Sequence, residues 1–203
     1  MHGLIRRAAM AAGAAVVLLG PAAGVASASG KPDPGHIYWA LGGAPDVGTI
    51  SEANLDGTNL HTLLTGQTNP TGVAVYRKHI YWANYATGSP GDGTINEANL
   101  DGTNPHTLIT GQNGPYGVAV DGSDIYWANY GGGTINEASL DGTNLHTLIT
   151  GQNSPWGVAV DSSHIYWTNF QGGTMSEANL DGTNPRTLVT ISQSNPQGIA
   201  VGP

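Results

Sequence analysis

Residues 124–160 read DIYWANYGGGTINEASLDGTNLHTLITGQNSPWGVAV, and this pattern occurs four times along the chain. Its tryptophan recurs at Trp39, Trp82, Trp127 and Trp167, at intervals of 43, 45 and 40 residues. A repeat of about 40 residues that contains several short strands is typical of a β-propeller blade. Because such a unit cannot bury its apolar faces alone, it must pack against its neighbours. The repeat therefore predicts an all-β propeller.

Each repeat is expected to supply four strands. These are G-V-A-V, whose apolar residues suit a strand covered on both faces, H-I-Y-W, G-T-I-x-E-A-N-L and H/R-T-L, with an Asp-Gly turn before the last. The first residues of the repeats, 36–40, match the second strand of a blade, whereas residues 198–201 match a first strand. We expect these two fragments to complete one another. The expectation is a propeller of about four four-stranded blades, closed by the C-terminal strand.

The N-terminal residues differ from the repeats. Arg6 and Arg7 precede an apolar, alanine-rich run, and residues 26–28 read Ala-Ser-Ala, as at a cleavage site. We expect residues 1–28 to be a secretory signal peptide, residues 29–35 a linker and residues 36–203 the propeller. The mature protein is then extracellular and keeps no membrane anchor.

The charge of the chain excludes some partners. The chain has six basic and fourteen acidic residues, and removal of Arg6 and Arg7 leaves four basic residues. With no basic patch to neutralise phosphates, nucleic acid is not expected as a partner. The chain has no cysteine, and its histidines lack the spacing of metal ligands, so we expect no metal and no cofactor.

Three elements of the repeat resemble a known family. Y-W-A/T-N, I-x-x-A-x-L-D-G and P-x-G-V-A-V, in register over four repeats, resemble the YWTD (class B) repeats of low-density lipoprotein receptor-type propellers, in a secreted and bacterial-looking version. The family's final aspartate is replaced here by Asn84, Asn129 and Asn169, and by Leu41 in the first repeat. The resemblance implies recognition of a protein ligand around the central channel. Family propellers usually have six blades, whereas this chain has four repeats.

Residues that recur in every repeat are best explained by structure. The four tryptophans are expected to pack blade against blade. The glutamates at 52, 97, 137 and 177 are expected to cap backbone amides or face solvent, because the third strand lies towards the outside of a blade. The aspartate of each L-D-G is expected to be a turn residue.

Positions that vary between repeats are more informative about binding. The residue between Pro and Gly in P-x-G changes in each copy and should lie at the channel mouth, beside the loop that follows the second strand. Large aromatic residues that cluster on a surface usually mark a site. The candidate ligand-binding residues are Thr71, Tyr85, Tyr116, Tyr130, Trp156, Phe170 and Gln197. Neighbouring amides are expected to add hydrogen bonds, namely Gln67, Gln112, Gln152, Asn113 and Asn153. Drift at exposed loops would produce the same variation.

These features favour a secreted, non-catalytic propeller that recognises a protein or glycan on its channel face. The chain is expected to be a monomer, and no catalytic residue is assigned. Two alternatives stay open. One is a metal-dependent enzyme of the lactonase or lyase type, for which Asp46 and Asp92 are the only unique carboxylates on that face. The other is a structural repeat array that assembles between chains.

Overall fold

The computed structural model describes residues 17–18, 35–43, 46–86, 89–191 and 194–202. Apart from a two-residue strand and Gly35, the expected signal peptide and linker lie outside the described residues. Blade 1 contains β1 (Val17–Leu18), β2 (His36–Leu41), β3 (Gly48–Asn54) and β4 (His61–Gln67). Blade 2 contains β5 (Pro70–Tyr76), β6 (His79–Asn84), β7 (Gly93–Asn99) and β8 (His106–Gln112). Blade 3 contains β9 (Pro115–Val120), β10 (Asp124–Asn129), β11 (Thr134–Ser139) and β12 (His146–Ile149). Blade 4 contains β13 (Pro155–Val160), β14 (His164–Asn169), β15 (Thr174–Asn179) and β16 (Arg186–Thr190).

Each blade is one antiparallel sheet whose strands lie in sequence order. The sequence-based prediction of an all-β fold with four four-stranded blades is thereby confirmed. The inner strands begin at the proline of P-x-G, two residues before the predicted glycine, and a register shift follows this proline in β5, β9 and β13. In the described part of the chain, no helix is present that could cross a membrane.

The blades are held together by packing between neighbouring sheets. One apolar cluster joins blades 1 and 2, a second joins blades 2 and 3, and a third joins blades 3 and 4. In the second cluster, Ile125 and Trp127 of blade 3 pack with Tyr81 and Ile95 of blade 2. Trp82, Trp127 and Trp167 are completely or almost completely buried. The structure thus places three of the four repeated tryptophans between blades, and Trp39 of blade 1 is only partly buried.

Inner strands of adjacent blades approach closely at the glycine of P-x-G. A Cβ atom on Gly117 would lie 2.5 Å from the carbonyl oxygen of Trp156, and one on Gly72 would lie 2.2 Å from that of Tyr116. No side chain fits at such a distance. Glycine is therefore required where one inner strand passes against the next.

A glutamine of the preceding blade binds each of these buried tryptophans. The Gln112 Oε1 atom accepts hydrogen bonds from Trp127 Nε1 (2.8 Å), Asn129 Nδ2 (3.1 Å) and Asn136 Nδ2 (3.4 Å). Gln67 and Gln152 bind the equivalent pairs Trp82–Asn84 and Trp167–Asn169. An amide pair therefore joins the blades at the position where the resembling family has its aspartate. These glutamines are interface residues, which corrects the expectation that they serve a ligand.

The repeated acidic residues take two roles. Glu52, Glu137 and Glu177 lie opposite the first residue of the fourth strand, and each pairs with the His or Arg there, at 3.1, 3.4 and 2.6 Å. This pairing replaces the expected capping or solvent-facing role, because the register puts both residues on the same face of the sheet. The aspartates of L-D-G act in turns as expected; Asp141 Oδ1 accepts hydrogen bonds from the backbone N–H and hydroxyl of Thr143.

The expected closing strand takes a different position in the structure. Residues 198–201 belong to none of the four sheets, and the innermost strand of blade 1 is the two-residue β1. The C-terminal residues lie instead against β13, where a Cβ on Gly157 would be 2.3 Å from the carbonyl oxygen of Gln197. Contacts with the preceding inner strand have therefore prevailed over pairing with the distant β2. Among the described residues, no apolar cluster joins blade 4 to blade 1.

Candidate functional site

Five aromatic side chains from three blades meet at one end of the propeller. Tyr116 and Trp156 occupy the variable position of P-x-G, at the start of the inner strands β9 and β13. Tyr85, Tyr130 and Phe170 each follow the second strand of their blade directly. Because inner and second strands are antiparallel neighbours, the start of one and the end of the other lie at the same edge. We call these five residues the aromatic cluster.

Backbone hydrogen bonds fix the three aromatic residues that follow second strands. The Tyr130 N–H donates to the carbonyl oxygen of Gly114 at 2.8 Å, and the Phe170 N–H donates to that of Ser154 at 2.9 Å. Tyr85 makes the equivalent bond to Asn69 at 3.1 Å. The same repeat geometry therefore presents an aromatic side chain at the same place in blades 2, 3 and 4.

The rings contact one another in a continuous series. Tyr85 and Tyr116 have ring centroids 5.1 Å apart, and Tyr116 and Trp156 have centroids 3.9 Å apart. Phe170 stacks on Trp156 at 4.9 Å with an interplanar angle of 26°. Tyr130 lies edge-on to Trp156 at 5.6 Å. Such pairs add about 0.5–1.5 kcal/mol each beyond their buried area, so the cluster is ordered before any ligand arrives.

The stacking decides what the cluster offers to a ligand. Tyr116, Phe170 and Tyr130 surround the Trp156 ring, so Trp156 is part of a packed group of rings and not an isolated flat surface. Within the described residues, no hydrogen bond is made by Trp156 Nε1 or by the hydroxyls of Tyr85 and Tyr116. All five residues are partly exposed. The cluster therefore presents ring edges and free N–H and O–H donors, which suit an apolar ligand that carries hydrogen-bond acceptors.

The cluster also changes the acidity of one of its members. Burial raises the pKa of the Tyr116 hydroxyl to about 12, and the nearby Tyr85 and Tyr130 hydroxyls add to this effect. Tyr116 is therefore a neutral hydrogen-bond donor at physiological pH. Its ionisation reports on how well the neighbouring rings shield it from water.

One polar residue at this surface was not found by sequence reasoning. The Gln171 Nε2 atom donates a hydrogen bond of 3.1 Å to the Tyr130 hydroxyl, and Gln171 is exposed. The corresponding residues are Ala86 in blade 2 and Gly131 in blade 3. The change from small residues to glutamine at this repeat position was the available signal.

Two of the candidate residues, Thr71 and Gln197, are not members of the aromatic cluster. Thr71 is buried, and its hydroxyl lies 3.1 Å from the carbonyl oxygen of Pro115 in the next blade. It therefore acts as a packing residue at an interface and not as part of an accessible surface. The Gln197 backbone carbonyl accepts a hydrogen bond from the Thr168 hydroxyl at 2.8 Å. Gln197 is exposed, and its backbone lies against Gly157, the residue that follows Trp156.

The two unique carboxylates of the insertion loops are held locally. Asp46 Oδ1 accepts a hydrogen bond from the Thr68 hydroxyl at 3.0 Å, and Asp92 Oδ2 accepts one from the Ser89 N–H at 3.3 Å. Within the residues that the structure describes, no group of three or more His, Cys, Asp or Glu side chains is arranged to hold a metal ion.

Comparison with known proteins supports the fold. No protein-family profile matches the chain, and no curated protein sequence matches it. A solved nidogen–laminin complex contains a similar chain, with a TM-score of 0.70 and 22% identity over 81% of this chain and 63% of that one. A gluconolactonase from Xanthomonas campestris is similar with a TM-score of 0.65 and 15% identity, over 80% of this chain and 61% of that one. A luciferin-regenerating enzyme is similar with a TM-score of 0.63 and 16% identity, over 84% of this chain and 63% of that one.

These similarities show a propeller fold and no more than a fold. The identities are low, and the chain spans less than two thirds of the length of each of these structures. Similar propellers include both a chain from a protein–protein complex and enzymes. The activity of this chain must therefore be inferred from its own surface.

Proposed function

We propose that this chain is a secreted, non-catalytic binding protein that recognises a protein or glycan ligand through the aromatic cluster. One observation carries the proposal. The repeated tryptophans, such as Trp127, are buried between blades, whereas Trp156 lies in the partly exposed aromatic cluster at the start of an inner strand. Structure requires the same residue in every repeat, and this position is Thr71, Tyr116, Trp156 and Gln197 in turn.

The chemistry of the cluster fits such a ligand. Sugar rings and proline- or apolar-rich peptide segments present C–H surfaces together with oxygen acceptors. Trp156 Nε1 and the hydroxyls of Tyr85 and Tyr116 are suited to donate to such oxygens. Tryptophan and tyrosine are also the residue types that most often dominate the affinity of an interface. The nidogen–laminin complex supports protein recognition by a similar fold.

The enzyme alternative has less support. Two of the similar structures are enzymes, but they share only the fold with this chain. Asp46 and Asp92 are each engaged in local hydrogen bonds. No observation in the described residues favours catalysis over binding.

The test begins with a screen of the purified full-length protein against glycan and peptide arrays. For a ligand found in this way, Trp156→Ala should weaken binding by at least about 2 kcal/mol, which corresponds to roughly thirtyfold. The matched control is Tyr76→Ala. Tyr76 is a partly exposed aromatic residue at the last position of the inner strand β5, whereas the aromatic cluster lies at the edge where inner strands begin. A folded Trp156→Ala protein that binds with unchanged affinity, or a Tyr76→Ala protein that loses binding equally, would overturn the proposal.

A further inference from the structure

The two ends of the blade array present opposite halves of the interface that holds the blades together. Between blades 2 and 3, Ile125, Trp127 and Ala138 pack with Tyr81 and Ile109, among others. In blade 1, the repeat positions of Ile125, Trp127 and Ala138 are occupied by Ile37, Trp39 and Ala53. We call these three residues the leading face.

The other half of the interface lies on blade 4. The repeat places Ala159, Tyr166, Met175 and Val189 there, and we call these four residues the trailing face. Val189 is 41% exposed, whereas its equivalents Ile109 and Ile149 are only 4% and 6% exposed. Every residue of β16 is exposed. Among the described residues, no blade packs on the trailing face in the way that blades 2, 3 and 4 pack on the equivalent faces of blades 1, 2 and 3, although Ala159 itself is buried.

The leading face lacks its partner in the same way. The indole N–H groups of Trp82, Trp127 and Trp167 each donate to a glutamine of the preceding blade. In the described part of the chain, no residue accepts a hydrogen bond from Trp39 Nε1. Ile37 is partly exposed, whereas its counterparts in the other blades are fully buried. Ala53 is buried, so within the described residues blade 1 presents a partly exposed apolar surface at Ile37 and Trp39, together with an indole N–H that no described residue accepts.

The strands at the two ends are complementary too. Residues 197–199 lie against Gly157 in the position that the next inner strand takes elsewhere, so they mark the start of a further blade. In blade 1 the inner strand is only two residues long, compared with six or seven in the other blades. Removal of the expected signal peptide would take β1 away and expose the inner edge of β2.

We propose that a second copy of this chain covers these surfaces in a head-to-tail arrangement. The trailing face of one copy packs on the leading face of the next, and residues 198–201 supply the inner strand of the partner's first blade. The chain builds the same interface three times internally, so its own leading face is the surface that matches its trailing face. Two copies would form a closed ring of eight blades, within the usual range of about 4–8. We therefore propose a dimer where the sequence predicts a monomer.

The test measures the mass of the full-length, exported protein in solution by light scattering. The expected mass is that of two chains, and it should persist on dilution. Val189→Asp and Ile37→Asp each place a charge in the contact and should each reduce the mass to one chain, while circular dichroism shows that the blades remain folded. Leu145→Asp is the matched control, because Leu145 is a 48% exposed leucine in a turn of blade 3. This control should keep the mass of two chains.

Mixing the two variants distinguishes a head-to-tail contact from a symmetric one. The intact trailing face of Ile37→Asp can bind the intact leading face of Val189→Asp, so an equimolar mixture should recover the mass of two chains. If Ile37→Asp does not fold, Trp39→Phe takes its place. This change removes the indole N–H and part of the apolar ring area and should weaken the association at least tenfold. A wild-type mass of one chain at all concentrations, or a mixture that remains at one chain, would overturn the proposal.

Discussion

Replacing Gln112 by leucine should destabilise the protein more than the same change at Gln152, its equivalent in the next repeat. Leucine has a similar size but provides no acceptor. Trp127 Nε1 and Asn136 Nδ2 have Gln112 Oε1 as their observed partner, whereas Asn129 Nδ2 also contacts the Thr134 hydroxyl at 3.4 Å. Two buried donors are therefore left without a partner.

The magnitude follows from the cost of each unpaired donor. A buried polar group that loses its partner costs about 1–3 kcal/mol, so Gln112→Leu should lower the free energy of unfolding by about 2–6 kcal/mol. That is a large part of the roughly 5–15 kcal/mol that stabilises a typical domain. Gln152→Leu is the matched control. It leaves only Trp167 Nε1 without a partner, because Asn169 Nδ2 also contacts the Thr174 hydroxyl at 3.0 Å. The expected loss is about 1–3 kcal/mol.

Urea unfolding followed by circular dichroism measures both variants. With a slope of about 2 kcal/mol per molar urea, Gln112→Leu should lower the transition midpoint by about 1 M or more at an unchanged slope. Gln152→Leu should lower it by about half as much. Equal shifts for the two variants would refute the explanation that the number of unpaired donors sets the loss of stability. A Gln112→Leu protein as stable as wild type would show that the glutamines do not join the blades.

Trp156→Ala should lower the pKa of Tyr116 from about 12 towards its ordinary value of 10, because removing the neighbouring indole lets water reach the phenol. Ultraviolet titration of the tyrosines measures this change, and an unchanged titration would contradict the contact between the two rings. Hydrogen bonds from a threonine hold the pKa of Asp141 below its ordinary value of 3.8, so its contribution to stability is present above about pH 4 and is lost as the pH falls through the lowered pKa. Asp141→Asn should therefore flatten the loss of stability below pH 4 in acid unfolding, and an identical acid profile would argue against it. Gly117→Ala should destabilise by about 1–3 kcal/mol or more through the clash with the next inner strand, whereas Gly202→Ala meets no atom within 4 Å and should unfold at the wild-type temperature.

The parts of the fold that sequence reasoning found are those encoded within one repeat. Alternation, β-branched residues and the Asp-Gly turn specify each four-stranded sheet locally, and four repeats specify four blades. The variable positions also marked Tyr116 and Trp156 as a pair of interest, because repetition makes any departure visible. The role of the cluster in ligand binding stays a prediction until a ligand is tested.

Contacts between blades could not be obtained in the same way. Gln112 and Trp127 are separated by fifteen residues and belong to different sheets, so the bond between them depends on how the sheets pack. The glutamines therefore looked like surface amides in the sequence, and Thr71 looked like an exposed residue although an adjacent blade covers it. The position of residues 198–201 depends likewise on a choice between two possible neighbours, β13 and β2.

The blade, its strands, its turns and the number of blades could be predicted from the sequence, because these depend on interactions between residues that are close along the chain. Only the tertiary structure decided which polar groups join the blades and how the aromatic rings stack. It also decided that no apolar cluster of the described residues joins blade 4 to blade 1. These features depend on the angle and distance between neighbouring sheets, which the packing of all the side chains sets together and which no single repeat contains.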